Sequence, residues 1–156
     1  MSAVNRGTVV SRIETGDQLV LVYSEPVALG SIIAGWNGVS AQNVVVRQAN
    51  KTSGPLTIYD GSNATVLPLG TVQLRRNDYA SGAVVWGAAG SAARSTLIIS
   101  GSTLTLTFGT PDTPAKVTTA LGTGNMLWKP VAGTTDLVGN AGSLATRAEV
   151  DNDSDF

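Results

Sequence analysis

Four oxygen-bearing side chains at predicted turns form the clearest candidate site in this sequence. Asp17 opens a predicted strand and Glu25 follows the end of that strand. Asp136 and Asn140 bracket a turn much later in the chain. Calcium takes six to eight oxygen ligands, often carboxylates and amides on converging loops. The pattern therefore predicts a calcium site formed by Asp17, Glu25, Asp136 and Asn140. The same residue types also favour turns for purely structural reasons, and this second interpretation stays open.

Aromatic side chains offer a second kind of chemistry, the stacking of sugar rings or of a protein partner. Tryptophans occur at positions 36, 86 and 128. Trp128 lies in an alternating run that predicts core packing, whereas Trp86 lies in a Gly- and Ala-rich stretch that predicts exposure. Phe156 is expected to need a pocket, either in the domain itself or on a partner. We predict Trp86 and Phe156 as partner-contacting residues, and Trp36 with Trp86 as a platform for surface glycans.

The sequence contains few residues that are suited to catalysis. The sequence contains no cysteine and no histidine, which removes thiolate nucleophiles, Ser-His-Asp triads and the commonest general base. The remaining carboxylates and lysines show no spacing that specifies a mechanism, so we predict that the chain is not an enzyme. Ten basic residues against eleven acidic ones give a net charge of −1, which argues against a nucleic-acid partner. No apolar run approaches the ~18 residues that a membrane span needs.

The elements that must position these residues are short strands. Alternating apolar and polar residues between Gly, Pro, Asn, Asp and Ser clusters predict roughly nine of them. They are predicted at residues 8–13, 18–23, 44–48, 56–60, 71–74, 96–99, 103–108, 125–129 and 143–150. Residues 28–35 predict one helical turn, and residues 76–94 an exposed loop. The pattern thus predicts an all-β fold, a β-sandwich of antiparallel strands with Greek-key connections.

Composition and length place this fold in a single domain. Charged residues make up 13% of the chain, about half the ordinary share, and Thr, Val and Gly are abundant. This composition is typical of β proteins that work outside cells or in assembled particles. We predict an N-terminal arm at residues 1–7, the sandwich at residues 8–150 and an acidic tail at residues 151–156.

Three motifs in this chain resemble those of bacterial immunoglobulin-like domains. Residues 16–27 read G-D-Q-L-V-L-V-Y-S-E-P-V, residues 35–38 read G-W-N-G, and residues 136–141 read D-L-V-G-N-A. The family's early strand carries G-D-x-L-x-L-x-Y-S-E-P and its last hairpin carries D-x-x-G-N-A. The resemblance implies an Ig-like sandwich, with acidic loop residues at one pole, that serves in building, display or adhesion.

The function expected from these features is structural. We predict a phage virion surface component, either a capsid decoration or a head- or tail-fibre module, located in the virion. Its partners would be a viral shell or further copies of itself, contacted through residues 1–7 and 151–156. The alternative is an Ig-like spacer or adhesion domain of a secreted bacterial surface protein, located at the cell surface. A carbohydrate-binding module is a second alternative. No cofactor is expected apart from the candidate calcium ion.

Overall fold

The computed structural model of this chain describes residues 1–49, 54–76, 78–150 and 155–156. Its main elements in these ranges are ten short strands joined by turns and loops. Single turns of 3₁₀ helix occur at Leu29–Ser31 and Pro114–Lys116, the first inside the predicted helical turn. None of the helices in these ranges is long and apolar enough to cross a membrane. The prediction of an all-β fold is confirmed. The strands are β1 (Ser2–Val4), β2 (Gln18–Val22), β3 (Gln42–Gln48), β4 (Leu56–Asp60), β5 (Val66–Gln73), β6 (Val84–Trp86), β7 (Ser95–Ser100), β8 (Thr103–Thr107), β9 (Leu127–Lys129) and β10 (Arg147–Ala148).

The strands join one antiparallel sheet that curls around β3. The order is β1-β2-β8-β7-β3-β4-β5-β9-β10, and β6 lies beside β3. β4 follows one edge of β3, while β7 and β6 share the other edge, at residues 42–44 and 46–48. Val44, Val45 and Val46 are all buried. Because consecutive strand residues point to opposite faces, the sheet is covered on both faces at this point.

The pairing of β2 with β8 shows how the alternating sequence builds the interior. Leu19 lies opposite Leu106 and Leu21 opposite Leu104, and all four side chains are buried. Thr105, between the two leucines of β8, is half-buried on the other face. Cross-strand pairs of this kind are the unit of sheet stabilisation, and each leucine pair fixes the register of its neighbours.

A single hydrophobic cluster connects the sheet with its loops. Besides the strand leucines and valines, it includes large side chains from irregular segments, among them Ile13, Trp36, Tyr79, Phe108 and Phe156. The loops therefore supply much of the aromatic surface of the core. The sheet and these loops form one packed body over the described residues.

The strand predicted at residues 8–13 is wrong. One carboxylate oxygen of Glu14 accepts hydrogen bonds from the backbone N–H groups of Thr8 (2.6 Å) and Val9 (2.8 Å). Ser11 has a φ of 65°, in the left-handed region that strands do not use. A local carboxylate thus satisfies the backbone donors that a strand would offer to a neighbour, and the segment forms turns.

Four further differences concern strands that the pattern missed, made too short or made too long. β1 lies within the predicted arm, and β6 lies within the predicted loop at residues 76–94. β5 begins at Val66, well before the predicted start, although it contains Pro68 and Gly70. Gly70 has a φ of 76°, and a Cβ there would overlap the carbonyl oxygen of Lys129 in β9. The last strand is β10 alone, shorter than the predicted 143–150. The domain boundaries stay a prediction.

Candidate functional site

An open cavity of about 630 Å³ lies between the two ends of the sheet. Its walls come from the end of β2 and the residues after it, from β9, and from the segment that leads into β10. A volume of this size is typical of sites that hold small ligands or partner side chains. The cavity is the main candidate for a binding site. Six of its lining residues are Tyr23, Glu25, Trp128, Asp136, Asn140 and Arg147.

The cavity forms where the first and last sequence motifs meet. Val27, which follows Ser-Glu-Pro, pairs with Asp136 as an isolated antiparallel bridge. The backbone N–H of Ala28 donates to the Thr135 carbonyl oxygen at 2.8 Å, and the Thr135 N–H donates to Oγ of Ser31 at 3.1 Å. Two segments more than a hundred residues apart in the sequence therefore form one wall.

Asp136 holds the turn that carries this wall. Its Oδ1 accepts the backbone N–H groups of Val138 (2.9 Å) and Asn140 (2.8 Å), and its Oδ2 accepts the side-chain amide of Asn140 at 2.7 Å. Desolvation raises the pKa of Asp136, but these hydrogen bonds outweigh it and hold the pKa below its ordinary value. The carboxylate is thus ionised at neutral pH, and its oxygens already serve the turn.

Asp17 lies elsewhere and has a different role. It is 0% exposed at the start of β2, whereas Glu25 is exposed beyond the other end of that strand. Oδ1 of Asp17 accepts the N–H groups of Arg6 (2.7 Å) and Gly7 (2.8 Å), and Oδ2 accepts that of Glu14 (2.6 Å). This carboxylate organises the loop before β2 and is not part of the cavity wall.

The four predicted calcium ligands therefore do not form one set. The structure brings Glu25, Asp136 and Asn140 to the cavity and leaves Asp17 at the far end of β2. Within the described ranges, no group of three or more acidic residues lies close enough to hold a metal ion. A calcium site at the cavity would have to draw on Glu25, on the amide of Asn140 and on an Asp136 carboxylate that its own turn already uses. Calcium binding stays a prediction.

Two aromatic rings form one side of the cavity. Tyr23 and Trp128 meet edge to face, with ring centroids 5.3 Å apart and planes at 84°. The indole N–H of Trp128 donates to the Leu69 carbonyl oxygen at 2.7 Å, which fixes its orientation. Burial raises the pKa of Tyr23 to about 12, so its phenol stays neutral at physiological pH. This side of the cavity is uncharged.

The predicted tryptophan platform is wrong, because all three indoles are buried. Trp36 donates its ring N–H to the Ser40 carbonyl oxygen at 3.0 Å. Trp86, which the Gly- and Ala-rich context predicted to be exposed, is 0% exposed. It belongs to β6, lies opposite Val46, and packs edge-on against Phe108 at 5.5 Å. The Gly- and Ala-rich context therefore gives the wrong prediction for Trp86 itself, although Ala89 and Gly90 nearby are exposed.

Phe156 takes the first of its two predicted options and docks into the domain. Its ring lies edge-on to Tyr79 at 6.0 Å and to Phe108 at 5.5 Å. Its carbonyl oxygen accepts the Ser11 N–H at 2.6 Å, and the Asp155 carbonyl oxygen accepts the Tyr79 hydroxyl at 2.8 Å. The end of the sequence is thereby tied to the loop before β2.

The segment at residues 137–148 is exposed along its whole length. It contains three large apolar side chains, Leu137 (69% exposed), Val138 (84%) and Leu144 (59%). The Asp136 turn fixes the start of this segment, and its later residues line the cavity. The sequence motif drew attention to Asp136 and Asn140, but the exposed apolar residues lie between and after them.

Two glutamates with structural roles escaped prediction. Glu14 holds the turn at residues 8–13, and one carboxylate oxygen of Glu149 accepts the Ala3 N–H at 3.2 Å. Glu149 thereby ties β1 to the chain just after β10, across the gap between the ends of the sheet. No local sequence pattern marks either residue, because each one binds backbone groups whose position the sequence does not reveal.

Comparison of the chain with family models, with curated proteins and with solved structures finds no match.

Proposed function

We propose that this chain is a non-enzymatic structural protein that works through protein contacts. In its most concrete form it is a surface component of a phage particle, such as a capsid decoration or a head- or tail-fibre module. The observation that carries the proposal is the exposed segment at residues 137–148, with its three large apolar side chains beside an open cavity. Leu137 and Val138 are adjacent in the sequence, and contiguous apolar exposure marks contact surfaces, whereas single exposed side chains do not.

The geometry of this segment suits a contact that buries it. Burying a leucine or valine side chain contributes about 1.5–3 kcal/mol, so Leu137 and Val138 together would supply several kcal/mol per subunit. The Asp136 carboxylate holds the turn beneath them through three hydrogen bonds. A turn that is already ordered loses less conformational entropy on binding than a free loop does. Repeated over a particle, such a contact would fasten each copy in place.

The proposal includes an Ig-like sandwich with Greek-key connections as the fold. In this arrangement β2, β8 and β7 form one layer, β4, β5 and β9 form the other, and β3 lies where the sheet turns over. Tyr23, which follows β2, packs against Trp128 of β9 at 5.3 Å, and this contact between the two halves supports a layered core. The bridge between Val27 and Asp136 supports the family resemblance, because it joins the two motifs that carry it.

Solution mass tests the assembly part of this proposal. Light scattering of the full chain over a range of concentrations is expected to show a defined oligomer. The double variant Leu137→Ser, Val138→Ser should be a monomer with an unchanged circular dichroism spectrum, because both side chains are exposed and do not contribute to the hydrophobic core. Val39→Ser is the matched control, since Val39 is 86% exposed outside this segment. A wild-type chain that stays monomeric, or a double variant with the wild-type mass, would contradict the proposal.

The second candidate is an Ig-like spacer or adhesion domain of a secreted bacterial surface protein. The contact between the Ser-Glu-Pro segment and the Asp136 turn favours it as much as it favours the viral proposal. The gene's surroundings separate the two, because capsid and terminase genes would flank a virion gene. An adhesin domain would lie within a long reading frame that encodes an export signal and an anchor. The tryptophans predicted as a platform for glycans are not available to stack on sugar rings, because Trp36 and Trp86 are buried.

A further inference from the structure

The site that holds Asp155 and Phe156 has the features of a peptide-binding socket. We call it the tail socket and define its walls as Ser11, Tyr79 and Phe108. The Phe156 ring fits edge-on between the two aromatic walls, at 6.0 and 5.5 Å. Two donors of the socket, the Ser11 N–H and the Tyr79 hydroxyl, bind the carbonyl oxygens of the two tail residues at 2.6 and 2.8 Å. The socket thus recognises one aromatic ring and two consecutive backbone carbonyls.

The walls of the tail socket are held by the rest of the fold and not by the tail. The carbonyl oxygen of Ser11 accepts the Ala120 N–H at 2.7 Å, and that of Tyr79 accepts the Thr118 N–H at 3.0 Å. The backbone N–H of Phe108 donates to a carbonyl oxygen at the start of β2 at 2.8 Å. Each wall of the socket thus has a backbone hydrogen bond to the fold that does not involve the tail.

The backbone of Ser11 is set for this recognition. Its φ of 65° is a conformation that non-glycine residues adopt at a cost of about 1–3 kcal/mol, and such strain concentrates at ligand clamps. The strained residue is the one whose N–H donates to the Phe156 carbonyl oxygen. The loop therefore maintains an unfavourable backbone conformation at the point that contacts the tail.

We propose that the tail socket is a peptide-binding site and that, in the assembled state, it accepts Asp155 and Phe156 of a second copy of the chain. The inference rests on the proposed function, since it needs an assembly. A second copy offers the same ring and the same two carbonyl groups, so exchange between copies keeps every contact of the socket. In an assembly the tails of neighbouring copies are held at a high local concentration, which lowers the entropic cost of such exchange relative to free solution.

A peptide tests the socket in the full chain. The variant Phe156→Ala leaves the walls intact and the ring site empty. A synthetic peptide of residues 149–156 should then raise the melting temperature of this variant by about 5–10 °C at a hundredfold excess over its Kd. The same peptide with alanine in place of the phenylalanine is the control and should have no effect. Should Phe156→Ala fail to fold, Phe156→Leu keeps an apolar side chain, and the peptide should displace it.

A second measurement separates this inference from the proposed function. Light scattering should show that Phe156→Ala lowers the mass of the wild-type assembly, and that added peptide competes with assembly of the wild-type chain. No peptide effect on the melting temperature would overturn the binding site. Peptide binding without any change of mass would overturn the role of the second copy and leave a socket for the chain's own tail. The proposed function fails by a different result, an unchanged mass in the Leu137→Ser, Val138→Ser variant.

Discussion

Replacement of Asp17 should destabilise the fold more than replacement of any exposed acidic residue. Its carboxylate is 0% exposed and accepts three backbone N–H groups, from Arg6, Gly7 and Glu14, at 2.6–2.8 Å. These bonds hold the loop that runs from β1 to β2. Asp17→Asn keeps the shape of the side chain but turns one acceptor into a donor, and Asp17→Ala removes both acceptors.

The magnitude follows from the number of donors left unpaired. A hydrogen bond to a charged acceptor contributes about 1.5–3 kcal/mol, and a buried donor without a partner costs about 1–3 kcal/mol. Asp17→Asn loses the bond to one N–H and places two donors face to face, so we expect a loss of about 2–3 kcal/mol. Asp17→Ala leaves three N–H groups without the carboxylate, and we expect about 4 kcal/mol or more. In a domain of this size 1 kcal/mol corresponds to roughly 2–4 °C in Tm.

Urea unfolding followed by tryptophan fluorescence measures these losses as shifts of the midpoint at constant m-value. Glu25→Gln is the matched control, because Glu25 is exposed beyond the other end of β2. We expect the control to stay within about 0.5 kcal/mol of the wild type. A loss below about 1 kcal/mol in Asp17→Ala would refute the reasoning, since it would mean that water replaces the carboxylate at no cost.

The same protein preparations test the calcium prediction. A cation bound only to the folded state must raise Tm, so chelation must lower it. If Asp17 acted as a calcium ligand, the chelator effect would vanish in Asp17→Asn. We expect a chelator to have the same effect on the Tm of the wild type and of Asp17→Asn, because both oxygens of Asp17 are used by backbone donors. A fall in Tm that occurs in the wild type and is absent in Asp17→Asn would contradict this expectation, whereas an equal fall in both proteins would place the cation at Glu25 and its neighbours.

Two further predictions concern pH and backbone space. The hydrogen bonds from the Arg76 guanidinium, at 2.6 and 2.9 Å, lower the pKa of Asp78 to about 2. The pKa of this carboxyl in the unfolded chain is about 3.9, so the stability that the pair contributes is present above about pH 4 and is lost as the pH falls towards 2. Asp78→Asn should therefore flatten the curve of unfolding free energy against pH in this range. An unchanged slope would contradict the assignment. Gly70→Ala should cost about 2–5 kcal/mol in urea unfolding, because its Cβ would overlap the Lys129 carbonyl oxygen and strain a φ of 76°. Gly30→Ala, with no atom within 4 Å of the added Cβ, should be nearly neutral.

The sequence predicted best those strands whose own residues show which face is buried and which is exposed. β8 alternates Thr and Leu without interruption, and its leucines meet those of β2 in the register that the alternation requires. β6 has only three residues, between Ala83 and Gly87, so its strand character depends on the neighbouring β3 and not on its own pattern. Trp86 was misplaced for the same reason. Glycines and alanines surround its short strand, and the Phe108 ring that covers it lies over twenty positions away.

Strand geometry explains why one of the four predicted ligands lies apart from the other three. Asp17 lies just before the strand Gln18–Val22 and Glu25 lies beyond its other end, and five extended residues alone span about 17 Å. Two ligands of one calcium ion lie at most about 5 Å from each other at their oxygen atoms. The predicted strand and a shared metal site at its two ends were therefore incompatible. Glu25 and Asp136 both line the cavity because Val27 pairs with Asp136. The spacing of these residues along the chain does not reveal this bridge. Residues near one end of a strand can share a site only with residues that pair beside that end, and in this chain those belong to the Asp136 turn.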